Sequence, residues 1–279
     1  MLVNCYSTQG NDRGINMNKL KISVFIIAKN EADRIPLAIN SVIDWVDEVI
    51  VIDSGSEDDT ISVSESLGAR TVFNEWTGYG PQKIFGETLC RNDWILNIDA
   101  DEEITPALKA EIIQVFGQEE LVSVDKGVAA FRLPILPIYG FQETGHRWTA
   151  YQTPVRLYRL SKAGFKNEIV HDSVFVPDGV KVATLKEVVN HRSFRSLVHH
   201  VDKVNSYSTL QAENLDSRGR KTNFIIMLIL PFLAFLKSYI LRRAFVNGTD
   251  GVLTSHMYAF QRFIRYAKLR EIEHKKRKK

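Results

Sequence analysis

Three short apolar runs constrain this chain more than any other feature: residues 22–28 (ISVFIIA), 48–53 (EVIVID) and 94–98 (WILNI). Runs of this length, bounded by polar turns, read as strands buried on both faces. A further strand is expected at 70–74. Between the strands lie helical stretches at 31–46, 58–67, 81–89 and 106–116, with Pro81 in a first turn and Gly68 just past an end. Alternating strands and helices imply an α/β domain built on a mainly parallel sheet flanked by helices. In such sheets ligands bind beyond the carboxyl ends of the strands. That rule directs attention to residues 29–31, 53–56 and 99–103.

Those strand ends are acidic. Asp99 and Asp101 follow the third run and lie two residues apart. On extended backbone such side chains point the same way and can share a divalent cation. Oxygen ligands favour Mg²⁺ or Mn²⁺, with Mg²⁺ commonly shared with substrate phosphates. Asp53 ends the second run, before SGSEDDT; it can accept hydrogen bonds from a base or ribose, or cap its own turn. Asn30 and Glu31 read either as nucleoside contacts or as a helix start. Lys83 reads as a phosphate or base contact, or as part of a solvated helix face. The chain has no Walker loop, no G-x-G-x-x-G after a strand, no G-x-S-x-G elbow and no H-E-x-x-H.

The stretches FIIAKNE (25–31), DEVIVIDSGSEDDT (47–60) and DWILNIDADEE (93–103) resemble the family 2 glycosyltransferases, which have the GT-A fold. VRLYR (155–159), VHD (170–172), KVNSY (203–207) and the apolar, basic C-terminus are similar to the lipopolysaccharide core β-1,4-glucosyltransferases, which act on an inner-core heptose. The resemblance implies an inverting transfer from a nucleotide sugar, UDP-glucose. It implies that Asp53 holds the uracil or ribose, that Asn30 and Glu31 line the nucleoside site, and that Lys83 assists there. Asp99 would sit near the ribose and metal, with Asp101 as the main metal ligand.

An inverting displacement needs a base within hydrogen-bond reach of the acceptor hydroxyl. The candidate is Asp172, where the subgroup usually carries Glu after His, so this side chain is one methylene shorter. His171 and Glu168 are the other candidates, and a plain strand end at 171–172 is the structural alternative. Residues 145–148 (GHRW) and Arg156 offer a ring and cations to a phosphate-rich acceptor, with core packing the alternative for Trp148. His191 is expected to approach the metal or diphosphate.

Shorter strands at 128–136, 155–160, 174–176 and 182–184 are expected to extend the sheet with antiparallel pieces, before a helix at 194–215. Residues 1–17 are polar and read as a disordered extension, residues 18–217 as the catalytic domain and 218–279 as a helical tail. Cys5 and Cys90 show no metal spacing, which suits a reduced, cytoplasmic protein.

The formal net charge of +3 hides an uneven distribution. Residues 218–279 hold 15 Lys/Arg against 3 Asp/Glu, so the body is acidic and the tail basic. Residues 224–236 (FIIMLILPFLAFL) are uncharged and contain Pro231. A membrane span needs about 20 apolar residues. Extension to 241 takes in Lys237, and Arg242 and Arg243 follow at once. This reads as an interfacial helix or hairpin on an anionic membrane surface, with a buried helix or a true span as alternatives. The run KKRKK at 275–279 gains about 1 kcal/mol per charge near anionic lipid. Nucleic-acid binding would call for basic residues interleaved with stacking aromatics on a defined module. The expectation is a peripheral enzyme on the cytoplasmic face of a bacterial inner membrane, using a lipid-linked saccharide acceptor. Polyprenyl phosphate, capsule or teichoic acid acceptors are the competing reading, and a non-catalytic membrane-binding protein a further one.

Overall fold

The computed structural model describes residues 19–118, 120–123, 127–139, 142–166 and 173–278. Its N-terminal half runs β1 (Leu20–Ala28), α1 (Ile35–Asn40), β2 (Val46–Asp53), α2 (Thr60–Ser66), β3 (Arg70–Phe73), α3 (Tyr79–Leu89), β4 (Trp94–Asp99), β5 (Glu102–Ile104) and α4 (Pro106–Phe116). Short strands follow: β6 (Ala130–Arg132), β7 (Ile135–Pro137), β8 (Val155–Arg159), β9 (Gly164–Phe165), β10 (Val174–Phe175), β11 (Val182–Thr184) and β12 (Val189–His191). Helices α5 (Leu197–Ser217), α6 (Phe224–Leu236) and α7 (Gly248–Arg277) complete the chain.

The main sheet has the order β11–β6–β8–β4–β1–β2–β3. Strands β3, β2, β1 and β4 are parallel, while β8 runs antiparallel to β4 and β6 antiparallel to β8. This is the mainly parallel α/β arrangement expected from the alternating pattern, extended by antiparallel pieces.

The strands are apolar on both faces because both faces are covered. Ile22, Val24 and Ile26 of β1 pack with Ile35 and Ile39 of α1 and Leu108 and Ile112 of α4. Phe25 points the other way, as period two requires, and joins Ile50, Ile52 and Ile95 beneath α3. Gly86 allows that approach, since a Cβ there would lie 2.7 Å from the buried Phe25 ring.

Register decides the site. Ala28 of β1 is paired with Asp53 of β2, and Ile27 with Asp99 of β4. The three acidic strand ends therefore emerge side by side. A second sheet, β5–β12–β7, pairs His191 opposite Glu102. It carries a residue from late in the chain to the strand that begins next to Asp101.

Two expectations change. The helix expected over 31–46 is the six-residue α1. Asn30 takes a left-handed φ of 56°, and Glu31–Arg34 form a turn in which Arg34 N–H and Ile35 N–H donate to the Glu31 carbonyl at 2.9 and 2.8 Å. The strand expected over 128–136 divides into β6 and β7. Pro134 lies at the break and has no N–H to give a ladder, though its carbonyl accepts from Val189 N–H at 2.8 Å.

The tail is a helical hairpin. α6 continues into a π-helical turn, Lys237–Leu241, and the chain returns as α7. Thr222 N–H donates to Glu273 at 2.9 Å, the Phe235 and His256 rings lie 4.6 Å apart, and Ser255 meets Ser238 at 3.1 Å. These contacts fix an antiparallel pairing. Lys268 of α7 donates to the Asn205 carbonyl, the Asn205 side chain and Thr209 of α5, all at 2.6–2.7 Å. Among the described residues one helix, Phe224–Leu241, is long and apolar enough to cross a membrane, with mean hydropathy 2.3.

Candidate active site

A groove of about 830 Å³ opens over the carboxyl ends of β1, β2 and β4. Its floor includes Ala28, Ser54, Asp99 and Asp101, and one wall is α5. The sheet order places it on the side of the parallel strands, away from β6 and β11.

Asp99 is gripped from below. Lys83 Nζ lies 3.0 Å from one carboxylate oxygen and Arg156 Nη2 lies 2.9 Å from the other. Burial alone would raise the Asp99 pKa; the charges of Arg156 and Lys83 reverse that and hold it well below the usual carboxylate range. Arg156 also donates to Asn97 at 2.7 Å and Glu102 at 3.0 Å.

Asp101 is held from the side. Arg34 Nη1 lies 3.3 Å and His191 Nε2 3.4 Å from the same Asp101 oxygen. Burial pushes the Asp101 pKa up, and the hydrogen bond and charge of His191 more than offset this, leaving it lowered. Burial in turn opposes a charged His191, yet its hydrogen bond and attraction to Asp101 leave its pKa raised. The second Asp101 oxygen has no hydrogen bond among the described residues. His191 thus stands beside the acidic pair.

Arg34 links this centre to the first strand end. Its Nε and Nη2 donate to Glu31 at 2.8 and 2.7 Å. Arg195, from the loop before α5, reaches back to Glu31 at 2.8 Å, to Asp33 at 2.7 Å and to the Asn30 carbonyl at 2.7 Å. Asn30 suits its backbone: asparagine tolerates the left-handed region, and its side-chain oxygen accepts from Glu57 N–H at 2.8 Å.

Of the expected site residues, Glu31, Asp99 and Asp101 line the groove. Asn30 lies beside it with its side chain turned to the second loop. Asp53 does not line it: the side chain is buried and accepts from Gly55 N–H and Ser56 N–H at 2.7 and 2.9 Å and from Ser56 Oγ at 2.5 Å. Its visible role is to shape the strand-to-helix loop. Lys83 is wholly buried under Asp99 and acts through it rather than as a phosphate contact or a solvated face. Arg156 is likewise committed below the floor and gives no cation to an acceptor. Trp148 is 69% exposed, which removes core packing as its role, and Arg147 pairs with Glu187. Glu168, His171 and Asp172 lie outside the described residues.

Several groove residues were not expected at the site, although Lys203, Ser206 and Tyr207 belong to the KVNSY stretch that carries part of the resemblance. Trp76 and Tyr79 meet edge to face at 4.8 Å on the rim, and Tyr79 Oη lies 3.0 Å from Tyr207 Oη of α5. His199, Asp202, Lys203, Ser206 and Tyr207 of α5 face the groove. Their spacing of three and four is a helical period, a signal that was available in the sequence. Arg34 was likewise findable as the partner of Glu31 three residues earlier, whereas nothing local marks Arg195.

Among the described residues no group of three or more His, Cys, Asp or Glu side chains is placed to hold a metal ion. A cation here would take few protein ligands and complete its shell with phosphate and water, as Mg²⁺ does. Asp101, ionised and with one unengaged oxygen at the groove, fits that role.

The family model for glycosyl transferase family 2 matches residues 23–172, more than half of the chain. The chain is a family 2 glycosyltransferase. This glycosyltransferase is 43% identical over 259 residues to an uncharacterized glycosyltransferase from Rickettsia bellii, covering 90% of this chain and 87% of that one. It is 31% identical over 259 residues to LpsC of Rhizobium meliloti, a lipopolysaccharide core biosynthesis glycosyltransferase, covering 87% and 90%. Among solved structures it is similar to S. aureus TarS 1–349, with 14% identity, TM-score 0.46 and 92% of each chain covered. Glucosyl-3-phosphoglycerate synthase from Mycobacterium tuberculosis, in complex with Mn²⁺ and UDP-glucose, shows 21% identity and TM-score 0.43, covering 72% of this chain and 80% of that one.

Proposed function

We propose that this glycosyltransferase moves glucose from UDP-glucose, with inversion, to an inner-core heptose of lipopolysaccharide, assisted by Mg²⁺ or Mn²⁺. The observation that carries the donor half is the groove over three aligned strand ends, with two ionised carboxylates on its floor. Asp101 would hold the cation, with Asp99 and His191 beside it. Such a cation, when bound, neutralises charge developing on the phosphate oxygens. The chain's own work is to keep the carboxylates ionised: Lys83 and Arg156 do this for Asp99, and Arg34 and His191 for Asp101. Asp53, Asn30 and Arg195 hold the loops that would frame the nucleoside. Asp172 or His171 would take the acceptor proton.

The acceptor half is supported by the similarity to LpsC over nearly the whole chain. Mass analysis of lipopolysaccharide from a strain lacking this protein tests it. The core should be truncated by one hexose and everything beyond it, and restored by the wild-type gene. An unchanged core would redirect the enzyme to polyprenyl phosphate, capsule or teichoic acid acceptors.

The tail suits a lipid-linked acceptor. Phe224, Leu228 and Phe232 form one stripe, 74%, 62% and 63% exposed, and Ile225, Ile229 and Leu233 form the next. α6 is tied along its length to α7, which carries Arg262, Arg265, Lys268, Arg270, Glu271 and Glu273. A span would drag these charges toward the bilayer centre at a cost of about 3 kcal/mol each. This supports a hairpin that lies in one leaflet, and we place it on the cytoplasmic face of the inner membrane. In flotation, the full chain should rise with vesicles containing anionic lipid. Replacing Leu228 and Phe232 with Ser should leave it at the bottom, and undiminished flotation would exclude this surface.

A further inference from the structure

The charges around the groove are mostly spent on one another. Arg34 is engaged with Glu31 and Asp101, Arg195 with Glu31 and Asp33, Lys83 with Asp99, and Arg156 with Asp99 and Glu102. Lys203 is different. It lines the groove from α5, half-buried, and no carboxylate among the described residues pairs with it. Its Nζ lies 5.9 Å from the Phe194 ring, a face that favours the charged ammonium. Lys29 is the other groove lysine without such a pair, but it is exposed at the strand end.

Lys203 is also carried on a rigid support. The opposite face of α5 buries Val204, Ser208 and Ala212, and Lys268 pins the helix at Asn205 and Thr209. One turn further on, Tyr207 meets Tyr79 across the groove mouth. The wall is thus closed against the side of β1, β2 and β4, where the strand-end carboxylates stand.

On the reading that the donor is a nucleoside diphosphate sugar, we propose that Lys203 is the protein's own cation for the departing diphosphate. In the transfer, the bond from the anomeric carbon to the diphosphate oxygen breaks, and its electron pair stays on that oxygen. The acceptor oxygen forms the new bond to the anomeric carbon, and its proton passes to the enzyme's base. Lys203 remains an ammonium throughout and donates hydrogen bonds to the non-bridging oxygens, whose charge grows as the bond breaks. A preorganised donor of this kind accounts for about a hundredfold in turnover. The carboxylates below would hold the divalent cation, and Lys203 would add a positive charge to the diphosphate from the opposite wall.

The test is steady-state kinetics on full-length Lys203→Ala and Lys203→Arg enzymes, with melting curves for each. Lys203→Ala should lower kcat about a hundredfold and weaken product inhibition by UDP about tenfold, without a change in melting temperature. Lys203→Arg should recover most of both. Lys203→Ala within twofold of wild type in kcat and UDP inhibition overturns the proposal. So does a lowered melting temperature with no rescue by Arg, which would make Lys203 a structural residue. If the wild type uses another nucleoside diphosphate sugar, the UDP-glucose reading fails while the Lys203 prediction is tested with that donor. If it uses none, both fall.

Discussion

Asp101→Asn should reduce transfer from UDP-glucose by about a thousandfold while leaving the fold intact. Asparagine has the volume of aspartate, and Arg34 keeps its two hydrogen bonds to Glu31, so the turn after β1 survives. What is lost is the one strand-end carboxylate of the groove that keeps an oxygen not engaged by the described residues. The check is initial rates across a titration of Mn²⁺, with circular dichroism as the control for folding. A variant that keeps wild-type rates at every metal concentration would remove Asp101 from the chemistry.

Arg156→Met should cost about 3–5 kcal/mol of folding stability, the range for removing one partner from a buried ion pair. Arg156 is 8% exposed and serves Asn97, Asp99 and Glu102, and Glu102 is 2% exposed. Without the guanidinium, two carboxylates face each other with only Lys83 between them and the core. Urea denaturation measures the loss. Adding Glu102→Gln to Arg156→Met should recover part of it, because one uncompensated charge is gone, and the double-mutant cycle gives the coupling. A loss below 1 kcal/mol would mean that water reaches this centre and screens it.

Much of the site was legible because it sits where strand periodicity ends. The runs at 22–28, 48–53 and 94–98 are dense, apolar and bounded by acidic residues, so both the parallel sheet and the importance of Asp99 and Asp101 follow from local pattern. Their adjacency follows from register, which a buried strand can satisfy in few ways. The supporting charges were not legible. Lys83 and Arg156 look like surface cations in sequence; only the packing of α3 and β8 under β4 turns them inward. Arg195 lies more than 160 positions from the residues it holds, and no local pattern announces such a pairing. Helix α1 came out shorter than its apolar period at both ends, since 32–34 form a turn and 41–45 turn into β2. The strand at 128–136 divided because of Pro134, a breaker present in the sequence.

The tail shows the same division. Its apolar stretch and its basic run are plain in the sequence, yet neither tells a span from a surface hairpin. The antiparallel seat of α6 on α7 and the anchoring of α7 to α5 come only from the structure, and they support the proposed surface hairpin. They also connect the hairpin to α5, the helix that carries Lys203, as one packed unit.

Calorimetric titration of UDP-glucose into the full-length protein, with Mn²⁺ and with EDTA, tests the central claim most directly. Binding should be saturable in Mn²⁺ and lost in EDTA. Equal binding in both, or none in either, would contradict it.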